Sequence, residues 1–286
     1  APALQTHPQG APPLFPFVFI VVACGAISGF HGLVSSGTTA KQINKESDAT
    51  FIGYGGMIGE SLLGLASVLA CTAGFLTRDL WMAHYNSWEL ADGLGPNMQA
   101  FIDGSALFIS QLGLPLEVGK AFVALVAISF ALTTLDSATR LLRFNISEMS
   151  ETLRLPFLAN RYVASILAVT VIGSFAFYKV NGQAAGLALW QLFGTTNQIL
   201  GALTLLTITL YLMQRGRPYW YTGVPMVFML ITTLTAMVIK IRDFWNSETY
   251  LLLVLGVGIF LLSFWLGLEA VLRVRAGKVP SDHLTT

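Results

Sequence analysis

Seven apolar runs, each near the roughly 20 residues that a membrane-crossing helix needs, constrain this chain more than any motif does. They lie near 16–36, 51–74, 118–136, 161–179, 184–213, 220–239 and 249–272. Hydrocarbon holds no water to satisfy backbone N–H and C=O groups, so a chain crosses it as a helix or as a closed barrel. Runs of this length select the helix, most clearly the last three, while the first two are diluted by Gly and polar residues. The expected fold class is an all-α polytopic membrane protein with about seven transmembrane helices. Charge agrees: 11% of the residues are charged and mean hydropathy is +0.67, whereas soluble domains carry about 25% charged residues.

The first run passes into SGFHGLVSSGTTAKQINKESDATFIGYGGMIGE at 28–60. This stretch is too rich in Gly, Ser, Thr and charge for an ordinary span, which predicts a broken helix lining a polar path. Irregular backbone at membrane depth survives only against protein or a cavity, and solute transporters build sites from interrupted helices. The alternative is a plain span that ends near Ser28 and is followed by a loop. Ser28, Gly32, Ser35 and Thr39 recur at helical spacing and place hydroxyls on one face. Gly29, Gly32 and Gly37 permit an unwound segment whose N–H groups meet an anion. The candidate substrate-binding set is Ser28, Gly29, Phe30, His31, Ser35, Ser36 and Thr38.

Two ionisable residues of this block fall inside spans. His31 either carries a proton, since a histidine ordinarily titrates near 6.5, or packs as a neutral ring bonded to a carbonyl. Glu60 lies nine residues into its run, roughly 14 Å deep, where an unpaired carboxylate is costly. Gly53, Gly56, Glu60 and Gly64 share a helix face, and small residues allow close helix contact. Glu60 is therefore expected to point into the bundle, as a proton-coupling group or as a structural anchor. His31 and Glu60 are the proton-coupling candidates.

Farther along, the third run ends in Ser129, Thr133, Asp136, Ser137 and Arg140. Asp136 and Arg140 form an i, i+4 pair, read as a gate or a helix-end salt bridge. Gln191, Thr195 and Gln198 form a stripe in the fifth run with Asn197 alongside, packing polar-to-polar or lining a pore. Residues 75–117 form the one long connection, with a helix expected over 97–112, acting as a surface hairpin or lid or packing on the bundle. Cys24 and Cys71 both sit in apolar runs and read as buried free thiols without disulfide or metal spacing. Cys24 either packs or lines the path. Neither a metal nor a cofactor is expected.

Basic residues set an orientation. Lys41, Lys45, Arg140, Arg143, Arg154, Arg161, Arg215, Arg217, Arg273, Arg275 and Lys278 fall at one set of ends. Arg78, Lys120, Lys179, Lys240 and Arg242 fall at the other. The richer side is cytoplasmic, which puts the C-terminus inside and the N-terminus outside. Residues 1–15 read as an exterior loop without a signal peptide, so the chain is expected to be the C-terminal part of a larger protein. Residues 16–213 form the main bundle, 214–272 two additional helices, and 273–286 a cytoplasmic tail. Net charge is +1, which argues against a nucleic-acid partner.

The 28–60 block, LTTLDSATRLLRFNISEM at 132–149 and LWQLFGTTNQILGA at 189–202 together resemble the carbon starvation protein A family. The likeness runs from about Phe15 to Leu206. It implies the amino acid–polyamine–organocation superfamily fold, two inverted five-helix repeats (LeuT-like), with these seven spans matching helices six to twelve and the first one broken. It implies secondary transport of peptides, or of pyruvate with protons, across the bacterial inner membrane under carbon starvation. By the same resemblance Thr133 and Thr134 are candidate cation ligands for a proton- or sodium-coupled step; spacing alone leaves them bonding back to their helix. The first repeat, with its partner broken helix, is absent from this sequence. A nutrient-sensing receptor without flux is the alternative. A membrane enzyme is less favoured, because no HExxH, Walker or GxSxG motif is present and the His31–Ser35 pair has no orienting acid nearby in sequence.

Overall fold

A computed structural model describes residues 10–91, 93–180 and 183–275. Most of the exterior loop expected at 1–15 and of the tail at 273–286 therefore lies outside the described residues. The chain is helical along nearly its whole described length. Six helical stretches are long and apolar enough to cross a membrane: Leu14–Thr39, Asp48–Ala73, Leu116–Thr152, Leu192–Gln214, Trp220–Asn246 and Tyr250–Ala270. The fourth expected span is the shorter apolar helix Arg161–Phe177, at the low end of the crossing range of about 17 to 25 residues. Large apolar side chains such as Val22, Phe51, Leu125 and Trp265 stay exposed along these helices. The chain is a multi-pass membrane protein.

The contacts divide it into two units, one of Thr38–Leu142 with residues 10–12, the other of Pro13–Gly37 with residues 143–275. The second holds α1 (Phe19–Ala26), α2 (Gly29–Val34), α8 (Arg161–Phe177), a two-residue hairpin pairing β1 (Lys179–Val180) with β2 (Gln183–Ala184), α9 (Ala185–Gln214), α10 (Trp220–Asn246) and α11 (Tyr250–Arg275). Helix α9 is its centre, packed by α1, α2, α8, α10 and α11. Leu192 and Ile199 of α9 meet Met237 and Phe244 of α10 and Leu252 of α11 in one apolar cluster. Two buried threonines of α10 bond within their own helix, Thr232 to the Phe228 carbonyl and Thr233 to that of Met229, so their hydroxyls cost little in this contact.

In the other unit, α3 (Asp48–Ala73) packs near its C-terminal end against α6 (Leu94–Ser110) through Ala70, Gly74, Ala100 and Gly104. A Cβ added to Gly104 would collide with the Ala70 backbone, so glycine here permits the close approach. The connection 75–117 contains α4 (Arg78–His84), α5 (Trp88–Ala91) and α6. The helix expected at 97–112 is thus α6, starting three residues earlier and packed on α3. Thr77 caps α4 by accepting from Leu80 N at 3.3 Å.

Helix α7 (Leu116–Thr152) corrects the third expected run. The helix that carries the run at 118–136 does not end near Arg140, so Asp136 and Arg140 are not at a helix end. The helix continues through 37 residues, roughly 55 Å against a hydrocarbon core of about 30 Å. Residues 137–152 hold neither Gly nor Pro to stop it. It closes where Arg154 adopts φ 56° and Pro156 follows, the left-handed residue and proline that end helices.

Candidate functional site

The helix at Leu14–Thr39 is broken, and the break is built from two residues. Ile27 (φ −134°, ψ 92°) and Ser28 (φ −109°, ψ 133°) are extended between α1 and α2. Extended backbone here releases polar groups that the helix would have satisfied. Asn197 of α9 takes up that load. Its Oδ1 accepts from Phe30 N at 2.8 Å and from Ser28 Oγ at 3.1 Å. Its Nδ2 lies 3.0 Å from both Cys24 Sγ and Ser28 Oγ. One amide side chain therefore holds the last turn of α1, the break and the first turn of α2. One helical position on, buried Gln198 donates Nε2 to the Ile20 carbonyl at 3.5 Å. Its Oε1 is buried without a hydrogen-bond partner among the described residues.

Glycines bring the backbones together. A Cβ at Gly29 would collide with the Asn197 carbonyl, the Leu200 side chain and, at 2.7 Å, with Gly201 N. A Cβ at Gly32 would lie 2.7 Å from Thr204 Oγ1. Neither glycine has positive φ. Their role is close approach to α9, which corrects the expectation that they supply the unwound backbone. The expected hydroxyl stripe is corrected too. Ser28 lies in the break, Gly32 faces α9, and Ser35 and Ser36 are exposed and bond back to the Gly32 carbonyl at 3.0 and 2.9 Å. Thr38 Oγ1 is buried without a partner among the described residues. His31 is exposed on α2 and has an interaction of its own.

Glu60, Thr133, Thr134, Asp136 and Arg140 belong to the other unit. Glu60 is exposed on α3, also with an interaction of its own. A Cβ on Gly53, Gly56, Gly59 or Gly64 would meet nothing within 4 Å. Among the described residues these glycines make no close helix contact, so the small-residue seam expected beside Glu60 is not formed by them. Thr133 bonds back to the Phe130 carbonyl at 2.9 Å, and Thr134 is exposed beside it. Asp136 Oδ2 and Arg140 Nη2 form the expected i, i+4 ion pair at 2.8 Å. In the polar stripe of α9, Thr195 and Gln198 are buried, while the Gln191 side chain lies outside the described residues. Both cysteines are free and half-buried.

Sequence reasoning missed the part played by Asn197. It appeared only as a neighbour of the stripe, yet it is the residue that reaches the break. The available signal was an amide inside an apolar run, since a buried amide must find partners.

The sequence profile of the carbon starvation protein CstA family matches residues 2–92 and 82–236. The chain belongs to that family. It is 33% identical to peptide transporter CstA of Escherichia coli (strain K12), over 82% of this chain and 41% of that protein. It is 31% identical to peptide transporter CstA of Mycobacterium tuberculosis (strain ATCC 25618 / H37Rv), over 80% and 37%. It is 30% identical to the pyruvate/proton symporter BtsT of Escherichia coli (strain K12), over 84% and 43%. The chain spans about two fifths of the length of these curated CstA-family relatives. No solved structure matches.

Proposed function

We propose that this chain supplies the broken helix and supporting bundle of a secondary transporter that takes up short peptides or small carboxylates such as pyruvate, coupled to protons, across the bacterial inner membrane. The observation that carries this reading is the break at Ile27–Ser28 clasped by Asn197. An interrupted helix survives in a membrane only against protein or a cavity, transporters build their sites from such breaks, and here the chain dedicates a buried amide to keeping the helix interrupted. The names of the relatives support the substrate classes and the coupling ion.

In this reading Ser28 and the exposed His31 flank the path, and the rest of the full-length protein completes the site with a second broken helix in an inverted-repeat fold. A side chain reaching the break meets a hydroxyl at Ser28 and an imidazole at His31. The imidazole suits a carboxylate, which accepts hydrogen bonds and gains most when its donors are charged, while the Ser28 hydroxyl already donates to Asn197 Oδ1. His31 or Glu60 takes the proton, Asp136 and Arg140 act at a gate, and Thr133 and Thr134 stand as cation ligands. The arginine- and lysine-rich ends face the cytoplasm.

The test is transport by the full-length protein in liposomes, with His31→Gln and Glu60→Gln compared over about pH 5.5 to 7.5, a range spanning the ordinary histidine value. One variant is expected to lose gradient-driven accumulation while keeping substrate counterflow, because exchange moves no net proton. Accumulation by both variants equal to wild type removes both residues from coupling. Binding without counterflow in the wild type favours the receptor alternative over transport.

A further inference from the structure

The first unit contains a cleft of about 360 Å³, lined by residues between Gly74 and Lys120. Its apolar wall is Phe75, Leu76, Leu80, Leu107 and Leu116; its polar groups are His84, Gln99, Asp103 and Lys120. Asp103 of α6 and Lys120 of α7 face each other at 3.2 Å, and Glu117 stands 3.9 Å from the same ammonium. His84 Nε2 is buried and has no hydrogen-bond partner among the described residues. The His84 ring is held by Phe75 at 5.5 Å and by Tyr85 at 4.6 Å. Tyr85 in turn donates its hydroxyl to the Cys71 carbonyl at 2.8 Å. Burial pushes its phenol above the ordinary range, with Cys71 adding to the rise, so it stays a donor.

A volume of this size, mostly apolar with a few convergent polar groups, is the usual form of a small-molecule site. The charges select among ligands. A lone carboxylate drawn to Lys120 would meet Asp103 and Glu117 beside it, and a lone cation drawn to Asp103 would meet Lys120. An α-amino acid carries ammonium and carboxylate on one carbon. It lies head-to-tail along the closed pair, ammonium to Asp103 and carboxylate to Lys120, without opening it. An aliphatic side chain then covers Leu76, Leu80 and Leu107, where burial of apolar surface adds affinity. We propose that this cleft is a binding site for a free aliphatic α-amino acid in its zwitterionic form, separate from the broken-helix site.

The probe is L-leucine, titrated calorimetrically into the purified full-length protein. Saturable binding is expected. N-acetyl-leucine, leucinamide and the ketoacid 4-methyl-2-oxopentanoate should each bind at least about tenfold more weakly, because each lacks one charged contact. Asp103→Asn, Lys120→Met and Leu107→Trp, the last filling the cleft without touching its charges, should each weaken leucine by a similar factor. Thermal unfolding of each variant identifies any that fail to fold, and the ligand series in wild type decides independently of them. Equal binding of the ketoacid, or no saturable leucine binding at all, overturns the proposal and leaves the Asp103–Lys120 pair as a pin between helices. If leucine binding survives the three cleft variants and is lost in Asn197→Ala, the ligand sits at the break. The cleft proposal then falls, while the transport reading stands.

Discussion

Two glycine-bearing helices of this chain look alike in sequence and differ in what surrounds them. On α2, Gly29 and Gly32 lie so close to α9 that a methyl group at either collides with it. On α3, Gly53, Gly56 and Gly64 face nothing described within 4 Å. The first pair explains itself within the chain, since it seats the break against Asn197 and Gly201. The second set has no partner here, although small residues in a membrane helix exist to let backbones approach. Glycine content thus reports that close contact is possible. Only the structure says whether this chain makes the contact.

The largest effect expected is at Gly29. A leucine there must displace the backbone of α9, which cannot yield as a flexible side-chain tip would. Overpacking usually costs about 1 to 3 kcal/mol and more against backbone, so Gly29→Leu should lower the thermal midpoint sharply or prevent folding. A variant as stable as wild type would break the comparison at its packed end.

Next comes the clasp. Asn197→Ala leaves Phe30 N and Ser28 Oγ without their acceptor, and an unmet buried polar group costs about 1 to 3 kcal/mol. Asn197→Asp keeps the acceptor but turns the donor facing Cys24 Sγ into a second acceptor and adds a charge, so it should not rescue. Full rescue by Asp would show that Nδ2 is dispensable. In transport, Asn197→Ala should lower uptake beyond any loss of folded protein, because the break loses its fixed shape.

How far the sequence revealed these differences depends on the range of the interaction. The spans were legible because each is a local run of apolar residues. The break was legible from Gly, Ser and His crowding one segment that begins at Ser28, but the part of Ile27 was not. The glycines drew attention to residues 29–37, whereas the extended residues are Ile27 and Ser28. Asn197 lies 169 positions from Ser28, and no local pattern encodes that pairing. The end of α7 was misplaced for the opposite reason. Charge at Asp136 and Arg140 suggested a boundary, while the helix stops only at Arg154 and Pro156, where backbone conformation forbids continuation.

A smaller effect tests the open face of α3. Replacing Gly53 or Gly56 by Ala adds a methyl where no described residue lies within 4 Å, and alanine in a helix interior is favoured over glycine by about 0.5 to 1 kcal/mol. Measured on residues 1–286, thermal stability should rise slightly or stay unchanged. Measured on the full-length protein, a clear loss would show that another part of the protein packs on this face and that Glu60 is buried by it. A rise in both would leave the Glu60 face exposed to lipid or solvent, against a coupling role.

The smallest effect belongs to Asp136 and Arg140. Their ion pair is short at 2.8 Å, yet both side chains are about half exposed, at 61% and 47%. Exposed i, i+4 pairs contribute about 0.3 to 0.5 kcal/mol. Asp136→Asn should therefore leave unfolding almost unmoved, with less change still in high salt, where screening removes the attraction. A helix-surface pair has no reason to alter transport. A gate does, because opening and closing would make and break the pair in each cycle. The decisive comparison is the uptake rate of Asp136→Asn, and of the charge-swapped Asp136→Arg with Arg140→Asp, in the full-length protein. Loss of rate in the single variant with recovery in the swap, at unchanged stability, identifies a pair whose attraction is used in the cycle. Unchanged rates in both assign it to the surface of α7 alone.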